Sequence, residues 1–325
     1  MKSKRWLNGM RLRQGAILLT VLAIGSTAYA EVFVRAGALY SGDNGTNSVG
    51  FTDSSMLNNP VSISASAALF GTGGSSSATS ELGILKTAAG SSASRGNIFD
   101  GNANRGGARA DASWSDVVRI TGSGLSGQGT ANVRFSVDGT VTNSGHAGVP
   151  GCCLLGDATG TFAFRAGNDV VFMFDTEALL SSQPGASFAV TRVNGTNYGG
   201  NLNGFWDIAF PFTFGQALPL FAVIIATTHD LAGSNSTVNS YADFGNSIYW
   251  GGITSLSLAD GSITTEFSAV GATGHDWRVS AVPTPAAVPE PASSALLLAG
   301  LSLFVPMMRR FRRAQEAKEK SMGSD

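Results

Sequence analysis

Cysteine is almost missing. Cys152 and Cys153 are the only two, and they are neighbours. A disulfide between adjacent residues distorts the peptide that links them, so no disulfide framework supports this chain. The two read as a loop pair, free or cross-linked to another chain. Histidine is scarce too: His146, His229 and His275 sit in separate turn-like settings. There is no Gly-x-Ser-x-Gly elbow, no HExxH and no Gly-rich phosphate loop opening a helix. The familiar signatures of serine hydrolases, zinc peptidases and nucleotide enzymes are therefore lacking. Lys and Glu are few, and no long amphipathic helix can be drawn. Basic charge is short where it would matter. Residues 31–288 hold 10 Lys plus Arg against 18 Asp plus Glu, a formal charge of −8, because 11 of the 21 basic residues lie near the two ends. An acidic middle argues against a nucleic-acid partner, which needs cations to displace counterions.

What is present is small and polar. Gly, Ser, Thr, Asn and Ala suit strand faces, turns and loops. Residues 31–61 mix short apolar pieces such as Val32-Phe33-Val34 with turn material, and residues 71–113 read as thin strands among Ser/Ala/Gly loops. Clearer strands follow. Ala131 to Val137 alternates, with Val133, Phe135 and Val137 on one face. Asp138-Gly139 comes next and predicts a hairpin into Thr140 to Thr142, because both residues tolerate positive φ. The same device is expected at Asn194-Gly195 and Asp260-Gly261, and Gly167-Asn168 joins two further strands. Leu220 to Ala226 has no polar residue and predicts a strand buried on both faces. Many strands at this spacing, without helices, predict an all-β fold: a single β-sandwich of jelly-roll type over residues 31–280.

Two patterns inside this region invite a ligand. Asp100, Asn102 and Asn104 occupy positions 1, 3 and 5 of a Ca²⁺ loop, with Asp111 at position 12. Oxygen ligands at that spacing can wrap a hard cation. Arg105 stands where glycine is wanted, so a plain Gly/Asn loop is the competing reading. Trp206 and Asp207 could form a sugar platform, the indole stacking on a ring and the carboxylate accepting hydroxyl hydrogens. The competing reading is a Trp packed on a strand. A glycosidase would need two facing carboxylates. Asp175, Glu177, Asp207 and Glu266 are available, but nothing in their spacing selects a pair. His229-Asp230 and His275-Asp276 are adjacent, and neighbours on a strand point to opposite faces. No residue pattern calls for a cofactor.

The ends are specialised. Residues 1–30 read as a secretion signal: a basic start, the apolar core Ala16 to Ile24, and the small-x-small site Ala28-Tyr29-Ala30, so that the mature chain begins at Glu31. At the other end, 281–291 form a Pro-rich linker that closes on Val288, Pro289, Glu290 and Pro291. Ala292 to Met308 follow as 17 residues without a charge. As a helix they would span about 25 Å, near the lower limit for a bilayer core. The basic tail 309–325 opens with Arg309, Arg310, Arg312 and Arg313, a cytoplasmic stop under the positive-inside rule.

This C-terminal block resembles the PEP-CTERM sorting signal of Gram-negative bacteria. The resemblance implies recognition near the Pro-Glu-Pro block by an exosortase, removal of the membrane helix, and delivery to a surface rich in exopolysaccharide. Four short motifs also resemble ectodomains of other PEP-CTERM proteins: Gly83-Ile84-Leu85-Lys86, Trp114-Ser115-Asp116, Phe212-Thr213-Phe214-Gly215, and Ala242-Asp243-Phe244-Gly245-Asn246-Ser247. The expectation is an exported, non-enzymatic protein. It is anchored first in the inner membrane and then placed at the cell surface or in a polysaccharide matrix, where its job is structural or adhesive. A lectin-like carbohydrate-binding module and a secreted glycoside hydrolase are the alternatives.

Overall fold

The computed structural model describes residues 31–42, 45–56, 60–69, 72–96, 103–147, 154–181, 187–193, 196–198 and 204–283. The chain divides into two compact units, Met1–Val282 and Pro283–Asp325, and every described strand belongs to the first. The described residues contain no helix. In order the strands are β1 (Glu31–Gly42), β2 (Gly45–Met56), β3 (Val61–Leu69), β4 (Thr72–Glu81), β5 (Ile84–Arg95), β6 (Asn104–Thr121), β7 (Gln128–Val137), β8 (Thr140–Ala147) and β9 (Leu154–Ala166). They continue as β10 (Asp169–Ser181), β11 (Ser187–Val193), β12 (Thr196–Tyr198), β13 (Gly204–Thr213), β14 (Ala217–Ala232), β15 (Ser236–Leu258), β16 (Ile263–Thr264) and β17 (Ser268–Gly271).

They form two antiparallel sheets. The first runs β12-β11-β10-β9-β14-β6-β1-β2, with β17 also on β6. The second runs β13-β7-β15-β5-β4-β3, with β8 and β16 also on β15. Inward residues of both sheets share one core, so the expected all-β sandwich is present. Its strand order does not by itself make it a jelly roll. Meanders β3-β4-β5 and β9-β10-β11-β12 each stay within one sheet.

Inward side chains change size along the strands. On β6 they run Gly106, Ala108, Ala110, Ala112, Trp114, then Val118 and Ile120 beyond Asp116. On β1, antiparallel to it, Val32 lies opposite Trp114 and Ala38 opposite Ala108. The large end is aromatic. Trp114, Trp250, Phe135, Phe162 and Phe164 pack with ring centroids 5.1–6.4 Å apart, in tilted or edge-on pairs. At the small end the sheets approach until glycine is required. A Cβ on Gly106 would collide with the carbonyl oxygens of Ser92 and Gly73, and one on Gly74 with the carbonyl of Gly107. Serine hydroxyls also cross between the sheets. At the β1 bulge, Ser76 Oγ accepts from the Gly37 N–H and donates to its carbonyl, both at 2.9 Å. Ser80 Oγ donates to the Ser113 carbonyl at 2.6 Å. Gly106→Ala should therefore cost about 1–3 kcal/mol, since backbone must move to admit the methyl. A urea midpoint equal to wild type would refute the close approach.

Several expectations need correction. The strands within residues 31–61 and 71–113, expected to be thin, are long where described, up to the 18 residues of β6. Asp138-Gly139 is not a hairpin turn: β7 and β8 lie end to end along one side of β15, and neither pairs with the other. Gly139 is needed for a different reason, because a Cβ there would strike the Phe244 ring. The Gly167-Asn168 turn is present, with Gly167 at φ 65° and β9 pairing β10. β11 and β12 pair as expected, as do β15 and β16 around Asp260-Gly261, but the return strand ends at Thr264 and β17 crosses to the other sheet.

Candidate functional site

After β17 the chain turns back between the sheets and closes the aromatic end. Trp277 is fully buried, 4.7 Å from Trp114 of the first sheet and 5.1 Å from Trp250 of the second. Its indole N–H donates to Asp116 Oδ2 at 2.8 Å. Thr273 Oγ1 donates to the same oxygen at 3.1 Å, and Oδ1 accepts from the Val117 N–H at 2.7 Å. A buried carboxylate is tolerable when its lone pairs are filled in this way. The Trp277 carbonyl accepts from Trp250 Nε1 and from the Ile253 N–H, and the Ala281 N–H donates to the Trp250 carbonyl at 2.7 Å. Gly252, at φ 92°, has no room for a Cβ beside the Arg278 carbonyl. Trp277 and Ala281 thus tie the segment after β17 to the core.

The candidate ligand sites fare differently. Trp206 and Asp207 are both on β13 but face opposite ways. The Trp206 ring turns inward, 5.2 Å from Phe172 and stacked at 6.1 Å on Phe174. Asp207 turns outward into a two-bond ion pair with Arg134 of β7, at 2.8 and 3.0 Å. The guanidinium holds the carboxyl below its usual range. The aromatic beside this pair is Phe205, exposed, with Arg134 5.2 Å above its ring. The proposed platform of Trp206 and Asp207 is not assembled, because adjacent strand residues cannot share a face. The Ca²⁺ loop fails for a related reason. Asp100 and Asn102 lie outside the described residues, while Asn104 and Asp111 belong to one extended strand, β6. Seven residues of strand separate them by about 23 Å. Asn104 donates to the Ser94 carbonyl at 2.7 Å, and Asp111 is paired with Arg109 at 2.8 Å. No cluster of metal-binding side chains occurs among the described residues.

The remaining titratable groups are scattered. Asp175 bonds Thr161 at 2.9 Å on the outer face of the first sheet, whereas Asp207 is on the outer face of the second. Asp276 pairs with Arg278 at 2.6 Å, while the His275 ring lies 4.7 Å from Trp277. Burial, assisted by Arg105, lowers the pKa of His229. Asp230 points the other way, into the small end between the sheets. It accepts from Ser91 Oγ at 2.8 Å and from Ser240 Oγ, and burial raises its pKa to about 6. Sequence reasoning set the His229-Asp230 pair aside because strand neighbours point to opposite faces, and it gave Asp230 no other role. Its partners Ser91 and Ser240 come from the facing sheet, and no local signal announces them.

No curated protein and no solved structure matches the chain. A family model for the PEP-CTERM protein-sorting motif matches residues 287–313. The chain carries a PEP-CTERM sorting motif. Proteins with this motif are exported and stay anchored in the membrane until an exosortase processes them. In the PEP-CTERM chain, Pro289 lies six positions beyond Pro283, where the second unit begins. Val288, Pro289, Glu290, Pro291, the segment 292–308 and Arg309, Arg310, Arg312 and Arg313 lie outside the described residues, as do Ala28, Ala30, Cys152 and Cys153. Glu31, the expected first mature residue, begins β1 and lies opposite Ser115 of β6.

Proposed function

We propose that this PEP-CTERM protein is a non-catalytic, structural or adhesive component of an extracellular polysaccharide matrix. The observation that carries the reading is the sorting motif at residues 287–313, close behind an all-β unit that ends at Val282. Residues 1–30 direct export. The apolar run Ala292 to Met308 holds the precursor in the inner membrane, with the arginines on the cytoplasmic side. An exosortase acts near Pro289-Glu290-Pro291 and releases the sandwich to the cell surface, among exopolysaccharide as in a biofilm. The buried Trp277 and the Ala281 bond suit this order of events, since both precede the motif in the chain. The formal charge of −8 over residues 31–288 suits a hydrated, uncharged matrix.

The test is the mass and location of the protein in its own host, with Pro289, Glu290 and Pro291 intact or all replaced by alanine. Wild type should lose its tail and appear outside the cell, while the variant stays full length in the inner membrane. If both keep the tail and remain in the membrane, the C-terminal run is an ordinary anchor and the matrix reading falls.

A further inference from the structure

On the outer face of the second sheet Tyr241 stands among small residues of β5, β4 and β3. On β15, Asn239, Tyr241 and Asp243 alternate outward. In register with Tyr241 across the sheet lie Gly90 of β5, Ser75 of β4 and Ser66 of β3. The Tyr241 ring leans over Gly90, where a Cβ would stand 3.1 Å from its Cδ2. At its tip, Tyr241 Oη donates to Asp243 Oδ2 at 3.1 Å, and Asp243 Oδ1 is fixed by the Gly245 N–H at 2.6 Å. The ring is thus held at both ends, while 43% of the residue stays exposed. Hollows of about 670 Å³ and about 380 Å³ flank it, and Ser66, Ser75, Gly90 and Tyr241 line both. Both are open, shallow depressions of the sheet surface, not enclosed cavities. No charged residue lines either hollow; their walls are hydroxyls, one amide, backbone and methyl groups.

The geometry points to a binding groove for a neutral polysaccharide, with the chain crossing the Tyr241 ring and one stretch of sugar in each hollow. A sugar ring has an apolar face of C–H groups and a rim of hydroxyls. The first suits a preordered aromatic face, and the second suits a lining of serine hydroxyls and Asn239. Two hollows joined across one ring favour a polymer over a single sugar. The absence of cations from the lining disfavours a polyuronate or a sulfated chain, whose charges would go unpaired. Asp243 is a positioning residue that sets the tilt of the ring. This inference rests on the matrix reading and narrows it to one surface and one class of glycan.

The test is affinity electrophoresis of the exported, processed protein through gels holding a neutral β-glucan, a neutral galactomannan or a polyuronate. At least one neutral polymer should retard wild type. Tyr241→Ala should weaken that binding at least tenfold, and Tyr241→Phe should keep most of it. Phe205→Ala, which removes the exposed aromatic beside Arg134, should leave it unchanged. Thermal unfolding of each variant verifies that the fold persists. Equal retardation of wild type and Tyr241→Ala, stronger retardation by the polyuronate, or no retardation by either neutral polymer would each overturn the groove. Those results leave export and sorting untouched, which the Pro-Glu-Pro variant tests separately.

Discussion

Trp277→Ala should lower the unfolding free energy by about 3–5 kcal/mol, the range for removing a large buried aromatic. Two losses add up. The cavity opens between Trp114 and Trp250, whose rings face Trp277 at 4.7 and 5.1 Å and belong to different sheets. Asp116 Oδ2 also loses its indole donor and keeps only Thr273. Trp277→Phe separates the two effects. It keeps most of the ring, removes the N–H, and should cost about 1–3 kcal/mol, the penalty for a buried acceptor left short of a partner. A typical domain has only about 5–15 kcal/mol in total. Urea unfolding of the processed protein, followed by tryptophan fluorescence, reads both values. A Trp277→Ala midpoint equal to wild type would mean that the segment after β17 does not close the core.

The second large effect is a pH dependence centred on Asp230. Burial is the cause, opposed by the hydrogen bonds that Ser240 and Ser91 give to the carboxylate. The sign follows from linkage. The folded-state pKa, about 6, lies above the unfolded value near 3.8. Between those values the folded state holds the extra proton, so stability falls as pH rises, by on the order of 3 kcal/mol over the window. His229 works the other way. Its lowered pKa makes stability rise with pH up to the unfolded value of about 6.5. The raw profile therefore mixes two opposed slopes, and the difference between Asp230→Asn and wild type isolates one. That difference should shift in favour of the variant by on the order of 3 kcal/mol from pH 4 to pH 7. Parallel profiles would show that Asp230 is charged in the fold at both pH values.

Alternation made some of this fold legible. Val133, Phe135 and Val137 all face the core as read, and the uninterrupted run Leu220 to Ala226 lies in the interior strand β14 between β9 and β6. The sorting block was legible for another reason: it is a linear signal that needs no fold to be recognised. Strand β4, much of β5 and the first half of β6 were obscured because most of their inward residues are Gly, Ala, Ser or Thr. Period-two alternation disappears when both faces carry small side chains. Strand identity there comes from neighbours far along the chain, such as the Ser76 bonds to Gly37. Asp138-Gly139 misled because turn propensity is local, while β15 offers one continuous edge to β7 and β8. The Trp206 and Asp207 platform failed on parity alone. Tyr241 gave no signal, since its meaning depends on Gly90, 151 positions earlier.

The size gradient along β6 also carries positional information. A strand with uniform inward residues can slide by two positions and still put every apolar group inside. Here the step from Gly106 to Ala108 and the step from Ala112 to Trp114 break the uniformity. Sliding β6 toward its small end would drive Trp114 into the space that now admits only Ala112, and sliding it the other way would leave a void beside Trp250 and Trp277. Both errors are penalised by packing, one through overfilling and one through a cavity. A chain so rich in serine, alanine and glycine has few chemical labels with which to align its strands. The taper serves as a ruler, and it selects one alignment out of many that composition alone would leave nearly equal.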